Sequence, residues 1–316
     1  MTGEASLAAP AESGWVIAAA TLPFPPVDSS GEHIQDAPAE RWSTAFAQVV
    51  REGFAWVDLT DSWLRPGDLS PARVSELAEV LRQEALRPAA ISLIRRSVID
   101  PESGLDNLSY SLRTLEVAAQ LHCSTVSVGL HRPLTSRQRE ALWFWTVDEP
   151  HDAQDPETWA LAVERLSVLG RHAADLDLLL SLEMYEDTLL GTAASSVRLV
   201  TDIGLENVGL NPDLGNLIRL HRPIEPIEEM LELCLPHTNY WHMKNYYRIE
   251  DSSSGVILSA PTSMELGVLN YRHAVDLAIR HGFSGAFCLE HYGGDGLGVM
   301  STNLRYLTAI LQSRKA

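Results

Sequence analysis

Eight times along the chain a short apolar or β-branched run gives way to a stretch with helical spacing, and no other feature constrains the fold as tightly. The runs are "WVIAAAT" from Trp15, "AWVDLT" from Ala55, "AAISLI" from Ala89 and "TVSVGL" from Thr125. The second half adds "LLLSLEM" from Leu178, "VGLNPDL" from Val208, "YWHMKN" from Tyr240 and "AFCLEHY" from Ala286. Runs this short and this rich in branched and aromatic residues read as strands. The segments between them read as helices. One is "SPARVSELAEVLRQEAL", with Ser70 as N-cap and Pro71 at the first helical position. Strictly alternating strands and helices imply a parallel sheet with helices packed outside it. Eight such units in 316 residues predict an α/β protein, a (β/α)8 TIM barrel. The rival is a doubly wound open sheet, which carries a glycine fingerprint after its first strand. "TLPFPP" has no glycine to offer there.

The expected organisation is one barrel domain over residues 1–316, with residues 1–13 a flexible N-terminus. Two connections are long, at about 131–156 and 246–270. Both follow strands, which puts them on the face where barrel enzymes build their active sites. The formal net charge is -18, and a field of that sign repels a polyanion, so nucleic acid is excluded as a partner. The first residues show neither the basic nor the apolar region of a secretory signal. No apolar run approaches the roughly 20 residues that cross a bilayer, so no membrane partner is expected. The three cysteines, Cys123, Cys234 and Cys288, are an odd and widely spaced set. They read as free thiols of a cytoplasmic protein rather than as a disulfide framework.

The last four strands each end in a residue able to bind a metal: Glu183 in "SLEMYED", Asp213 in "LNPDLGN", His242 in "YWHMKN" and Glu290 in "CLEHYGG". Side chains alternate faces along a strand. Ser181 and Glu183 therefore share a face, as do Asn211 and Asp213, Tyr240 with His242 and Lys244, and Cys288 with Glu290 and Tyr292. In a closed barrel those faces point inward, and the four ligands converge at one rim. Taken singly, a strand-end Glu is an ordinary solvated rim residue and a lone His an ordinary structural one. One per consecutive strand is a different matter. Three carboxylates and an imidazole suit one divalent metal ion, Mn2+ first, then Mg2+, with Co2+ or Zn2+ as further fits.

In these residues the chain resembles the xylose isomerase-like TIM barrel superfamily, the sugar isomerase/epimerase and AP endonuclease family 2 group. The likeness extends over nearly the whole chain in element order and is most specific at "LNPDLGN", "WHMKN" and "CLEHYGG". It implies that Glu183, Asp213, His242 and Glu290 hold one metal ion. It further implies that Glu183 and Glu290 are the catalytic acid/base pair on either side of a sugar carbon. The chemistry agrees: removing a proton beside a carbonyl develops charge that a metal stabilises, while two carboxylates take and return the proton.

Two positions depart from the family pattern. A His often follows the strand-six Asp at the place held here by Asn216, and "H.KD" is often found where this chain has His242, Met243, Lys244 and Asn245. Lys244 is a candidate to hold a substrate oxygen, or else the partner of a rim carboxylate. His131 is a candidate extra base or substrate contact. Glu186 is a candidate for a sugar hydroxyl, against the plainer reading of a surface carboxylate. "HYGGDG" reads as a tight turn, since Asp295 lies inside it and opposes a phosphate.

Trp145, with Trp143 and Phe144, sits in the first long loop, and Tyr246, Tyr247 and Tyr292 follow the last two strands. They either pack a lid or stack on a sugar or an aromatic group joined to it. The leading expectation is a metal-dependent isomerase or epimerase acting on a keto-sugar. The alternative is a lyase similar to the metal-binding subunit of C-glycoside deglycosidases. Such a protein eliminates an aromatic aglycone from a 3-oxo-glycoside and works with a small partner subunit. An AP endonuclease and a non-catalytic sugar-binding subunit are further readings. The partner is a small carbohydrate or glycoside, and both a homo-oligomer and a hetero-oligomer remain open.

Overall fold

A computed structural model describes residues 14–28, 31–148 and 150–314. The N-terminal 1–13, expected to be flexible, lie outside the described residues. Eight parallel strands form a nearly closed barrel with helices between them. The strands are β1 (Ile17–Ala20), β2 (Trp56–Thr60), β3 (Arg87–Ser92), β4 (Thr125–Val128), β5 (Leu179–Glu183), β6 (Val208–Asn211) and β7 (Tyr240–Met243). An antiparallel hairpin, β8 (Asn245–Asp251) and β9 (Val256–Thr262), precedes the eighth barrel strand, β10 (Ala286–Leu289). The barrel order is β6, β5, β4, β3, β2, β1, β10, β7. A parallel bridge between Leu210 and Thr238 brings the two ends together.

The helices are α1 (Ala39–Arg51), α2 (Pro71–Gln83), α3 (Gly104–Gln120), α4 (Ser136–Glu140), α5 (Pro156–Asp175), α6 (Ala193–Ile203), α7 (Gly215–Ile218), α8 (Ile227–Cys234), α9 (Tyr271–Arg280) and α10 (Gly296–Gln312). Their starts follow capping chemistry. Ser70, Asp155, Thr192, Asn270 and Asp295 each accept a hydrogen bond from a backbone N–H in the first turn. The turn in "HYGGDG" thus ends in the cap of α10. The second long loop is largely the hairpin. Its alternating "NYYRIED" and "VILSAPT" are ordinary strand sequence, hidden within what the αβ rhythm made look like one connection.

The two faces of the barrel strands are chemically distinct. One face carries Val57, Leu59, Ile91, Val126, Leu180, Leu182, Leu210, Trp241 and Phe287, all buried in the main apolar core with residues of the outer helices. The other face carries Asp58, Thr60, Ser92, Ser127, Ser181, Asn211, Tyr240 and His242, all buried and mostly polar. Several of its hydrogen bonds link strands that are not neighbours, so they cross the lumen. Tyr240 Oη on β7 donates to Asp58 Oδ2 on β2. His242 Nε2 lies 3.1 Å from Ser92 Oγ on β3. The interior is therefore a hydrogen-bonded polar network with one open consequence: whatever stands above it is held rigidly from below.

Candidate metal centre

Glu183 is the last residue of β5, Asp213 follows β6 by two residues, His242 lies within β7, and Glu290 directly follows β10. All four are at most 3% exposed. One ligand atom from each of Glu183, Asp213 and His242 lies within 4.8 Å of the other two. Atoms that share one cation at about 2.0–2.4 Å each lie no more than roughly 4–5 Å apart, so this donor set has the right span. Glu290 stands against the set rather than inside it. Its Oε1 is 3.1 Å from His242 Nδ1, while Glu183 Oε1 is 3.9 Å from the same nitrogen.

Three atoms test whether these residues suit a metal ion. Glu183 Oε2, Asp213 Oδ1 and His242 Nδ1 are buried and have no hydrogen bond among the described residues, although His242 Nδ1 is ion-paired with Glu290 Oε1. Native proteins rarely leave such atoms unmet. Two carboxylate oxygens and an imidazole nitrogen facing one another are a ligand set, and they fit a divalent cation. The polar floor orients them. His242 Nε2 faces Ser92 and lies 3.6 Å from Asp58 Oδ2, and its backbone N–H donates to Asn211 Oδ1 at 2.7 Å. A carboxylate behind a histidine fixes the ring and its tautomer, as behind many metal-bound imidazoles.

Lys244 lies just beyond β7, with its ammonium between Asp213 Oδ2 and Glu290 Oε2, the latter at 2.6 Å. Gly215 makes this possible, because a Cβ there would overlap the Lys244 side chain. The charges split the two glutamates. Burial, with Glu290 and Asp213 adding to it against the pull of His242, pushes Glu183 up to about 7. Burial also opposes ionisation of Glu290, but Lys244 and His242 outweigh it and hold that carboxyl well below the ordinary range. The same contacts raise Lys244 and His242 above their ordinary values in spite of burial.

The other expected contacts fall into two groups. Asn216 donates to Glu183 Oε1 at 3.0 Å and to the Met184 carbonyl at 2.9 Å, so it steadies Glu183. His131 is buried and stacks on Tyr185, with centroids 4.3 Å apart. Burial, helped by Arg95 and Arg219, pushes it well below the usual imidazole range. Glu186 is not a surface carboxylate. It is buried and binds Arg219 through both oxygens, at 2.6 and 2.8 Å from Nη2. Trp145 and Tyr292 belong to an aromatic cover with Phe144 and Tyr246, their rings 5.6 to 5.8 Å apart edge to face.

Sequence reading missed Asp58, Ser92 and Arg219. A lone Asp inside the apolar run "WVDLT" was a usable sign for the first. Arg219, just past the short helix α7, gave none. A cavity of about 540 Å3 is lined by Asp152, Asp187, Thr192, Leu217, Arg222 and Glu225 among others, and the four strand-end residues do not line it. A smaller one, about 130 Å3, reaches Trp145 and Glu186.

The fold defines the class, a (β/α)8 barrel, and comparison places it. The model of the xylose isomerase-like TIM barrel family matches residues 46–310, and the chain belongs to that family. A xylose isomerase-like TIM barrel protein from Mycobacterium smegmatis, solved in complex with magnesium, is 42% identical. The match covers 96% of this chain and 98% of that one, with a TM-score of 0.92. D-allulose 3-epimerase from Methylomonas sp. shares the fold at 14% identity and a TM-score of 0.68, over 94% of this chain and 98% of that one. The 3-keto-D-glucoside 4-epimerase from E. coli does so at 15% and 0.64, over 93% and 99%. No curated protein matches the chain.

Proposed function

We infer that this protein is a divalent-metal-dependent enzyme of the isomerase/epimerase type, which removes a proton beside the carbonyl of a keto-sugar. One observation carries the reading. A buried set of ligand atoms from Glu183, Asp213 and His242 stands beside Glu290, and Glu183 Oε2 and Asp213 Oδ1 in it have no hydrogen-bond partner among the described residues. Glu183, Asp213 and His242 would hold the ion, with Glu290 as the fourth ligand. Mn2+ and Mg2+ suit this oxygen-rich set best, and the magnesium bound by the relative from M. smegmatis agrees with a hard cation. When bound, the ion supplies Lewis-acid stabilisation of the charge developing on the carbonyl oxygen.

The chain supplies the rest. Glu290, ionised, accepts a proton. Glu183, a carboxylate too once the ion is held, is its partner in taking and returning the proton. Lys244 lies against Asp213 and Glu290, where its ammonium can also donate to a substrate oxygen. The aromatic cover excludes water. Its four aromatic side chains favour a second reading, in which the same proton abstraction leads to elimination of an aromatic aglycone from a 3-oxo-glycoside.

The test is metal analysis of the purified protein, followed by proton exchange at carbon in D2O with keto-sugars and an aryl 3-oxo-glucoside. Glu183→Gln and Glu290→Gln should each lower exchange by about 10²–10⁴-fold. Unchanged exchange in both would refute the acid/base assignment. Released phenol in place of an epimer would select the second reading.

A further inference from the structure

We propose that Arg219 is a substrate-binding residue that reads an uncharged acceptor oxygen of the sugar, away from the atoms next to the metal ligands. The proposal rests on the functional reading above and deepens it.

Arg219 is 0% exposed. Its guanidinium carbon lies 4.8 Å from the ring centroid of Phe144, 5.2 Å from Trp145, 5.1 Å from Tyr185 and 5.8 Å from Tyr292. Glu186 holds one edge of the group, through Nε and Nη2. The other edge is different: Nη1 is buried and has no hydrogen-bond partner among the described residues. Trp145 Nε1 and Tyr246 Oη, on adjoining rings, share that condition.

An arginine enclosed in aromatic rings is a poor way to fill space. Apolar residues of similar volume stabilise such a site equally or better, and an unmet buried donor is rare in native proteins. Each unmet atom here is an N–H or an O–H. These three donors are therefore complementary to acceptor oxygens, meaning hydroxyl, carbonyl or ring oxygen. They are not complementary to an anion, because Glu186 neutralises Arg219, and Asp213 and Glu290 neutralise Lys244. The Tyr292 ring touches both regions, with Lys244 Nζ 5.5 Å and the Arg219 guanidinium 5.8 Å from its centroid. A sugar admitted beside this ring, with the aromatic cover drawn back, would lie within reach of Lys244 by the metal ligands and of Arg219 Nη1.

Removing Arg219 alone strands a buried Glu186, so the informative variant is the double Arg219→Met, Glu186→Gln. Native and variant protein, both loaded with Mg2+, are titrated calorimetrically with D-fructose, D-allulose and phenyl 3-oxo-β-D-glucoside. The expected result is a Kd raised about ten- to a hundredfold for the tightest probe, with Mg2+ affinity and Tm unchanged. A monodeoxy series of that probe then locates the oxygen, since one member should lose affinity for the native protein but not for the variant. Equal binding by native and variant, or a series without such a member, overturns the role of Arg219. A 6-phosphate of the ketose that binds tighter than the free sugar overturns the uncharged class. If the native protein binds none of the three probes, the keto-sugar reading itself falls, and this inference with it.

Discussion

At the scale of single residues, the site is governed by what lies behind the strand-end groups. Asp58 touches none of the candidate metal ligands except the far side of His242. Asp58→Asn should nevertheless weaken Mg2+ binding by about 10–100-fold, because it loosens the ring that must present Nδ1. A calorimetric titration that finds native affinity would deny it this role. The protonation states set a second expectation. Without metal, His242 sits above its ordinary pKa and Glu183 near 7, so both hold protons toward acid pH. A cation must displace them. Affinity for Mg2+ should therefore fall as pH drops through 7, by about tenfold per unit for each proton displaced. Titrations at pH 6, 7 and 8 decide it, and equal affinity at all three contradicts the ligand assignment.

At the scale of elements, the β8–β9 hairpin and the loop beyond it hang on one side chain. Asn245 Nδ2 donates to the carbonyls of Met264 and Leu269, and its Oδ1 accepts from the backbone N–H groups of Tyr246 and Leu269. An amide is what this loop requires, because a carboxylate has no hydrogen to donate to carbonyls. Asn245→Ala should lower stability by about 2–4 kcal/mol. Differential scanning calorimetry reads the change, and faster hydrogen exchange over 245–270 places it. Tyr246, next along, forms part of the aromatic cover, so the same variant should weaken ligand binding as well. The first long connection contributes from the opposite side. Thr135 and Gln138 close a capping box on α4, and the chain then delivers Phe144 and Trp145 over the cluster.

At the scale of the whole molecule, metal and stability are linked. A buried cluster of like-charged carboxylates favours any cation that binds only the folded chain. Saturating Mg2+, at a hundred times Kd, should stabilise by about 2.7 kcal/mol and raise Tm by roughly 5 °C. Chelator should reverse the shift, and a Tm indifferent to both would indicate no ion at this site.

The rhythm of eight strand–helix units, the faces of the strands and the caps of the helices were legible in the chain. Each depends on residues a few positions apart, and period and capping are local. For the same reason the four strand-end residues could be picked out, because a barrel converts strand-end position into convergence. The partners across the lumen could not. The contact of His242 with Ser92 spans 150 positions, and nothing local to either residue marks it. The burial of Glu186 against Arg219 was equally hidden, since a carboxylate three residues past a strand reads as solvent-exposed until the loops are folded over it. Sequence alone determined that this chain is a barrel with metal-type residues at one rim. Tertiary structure alone decided which of their atoms are left without partners, because only closure of the barrel and packing of the aromatic cover remove water from them.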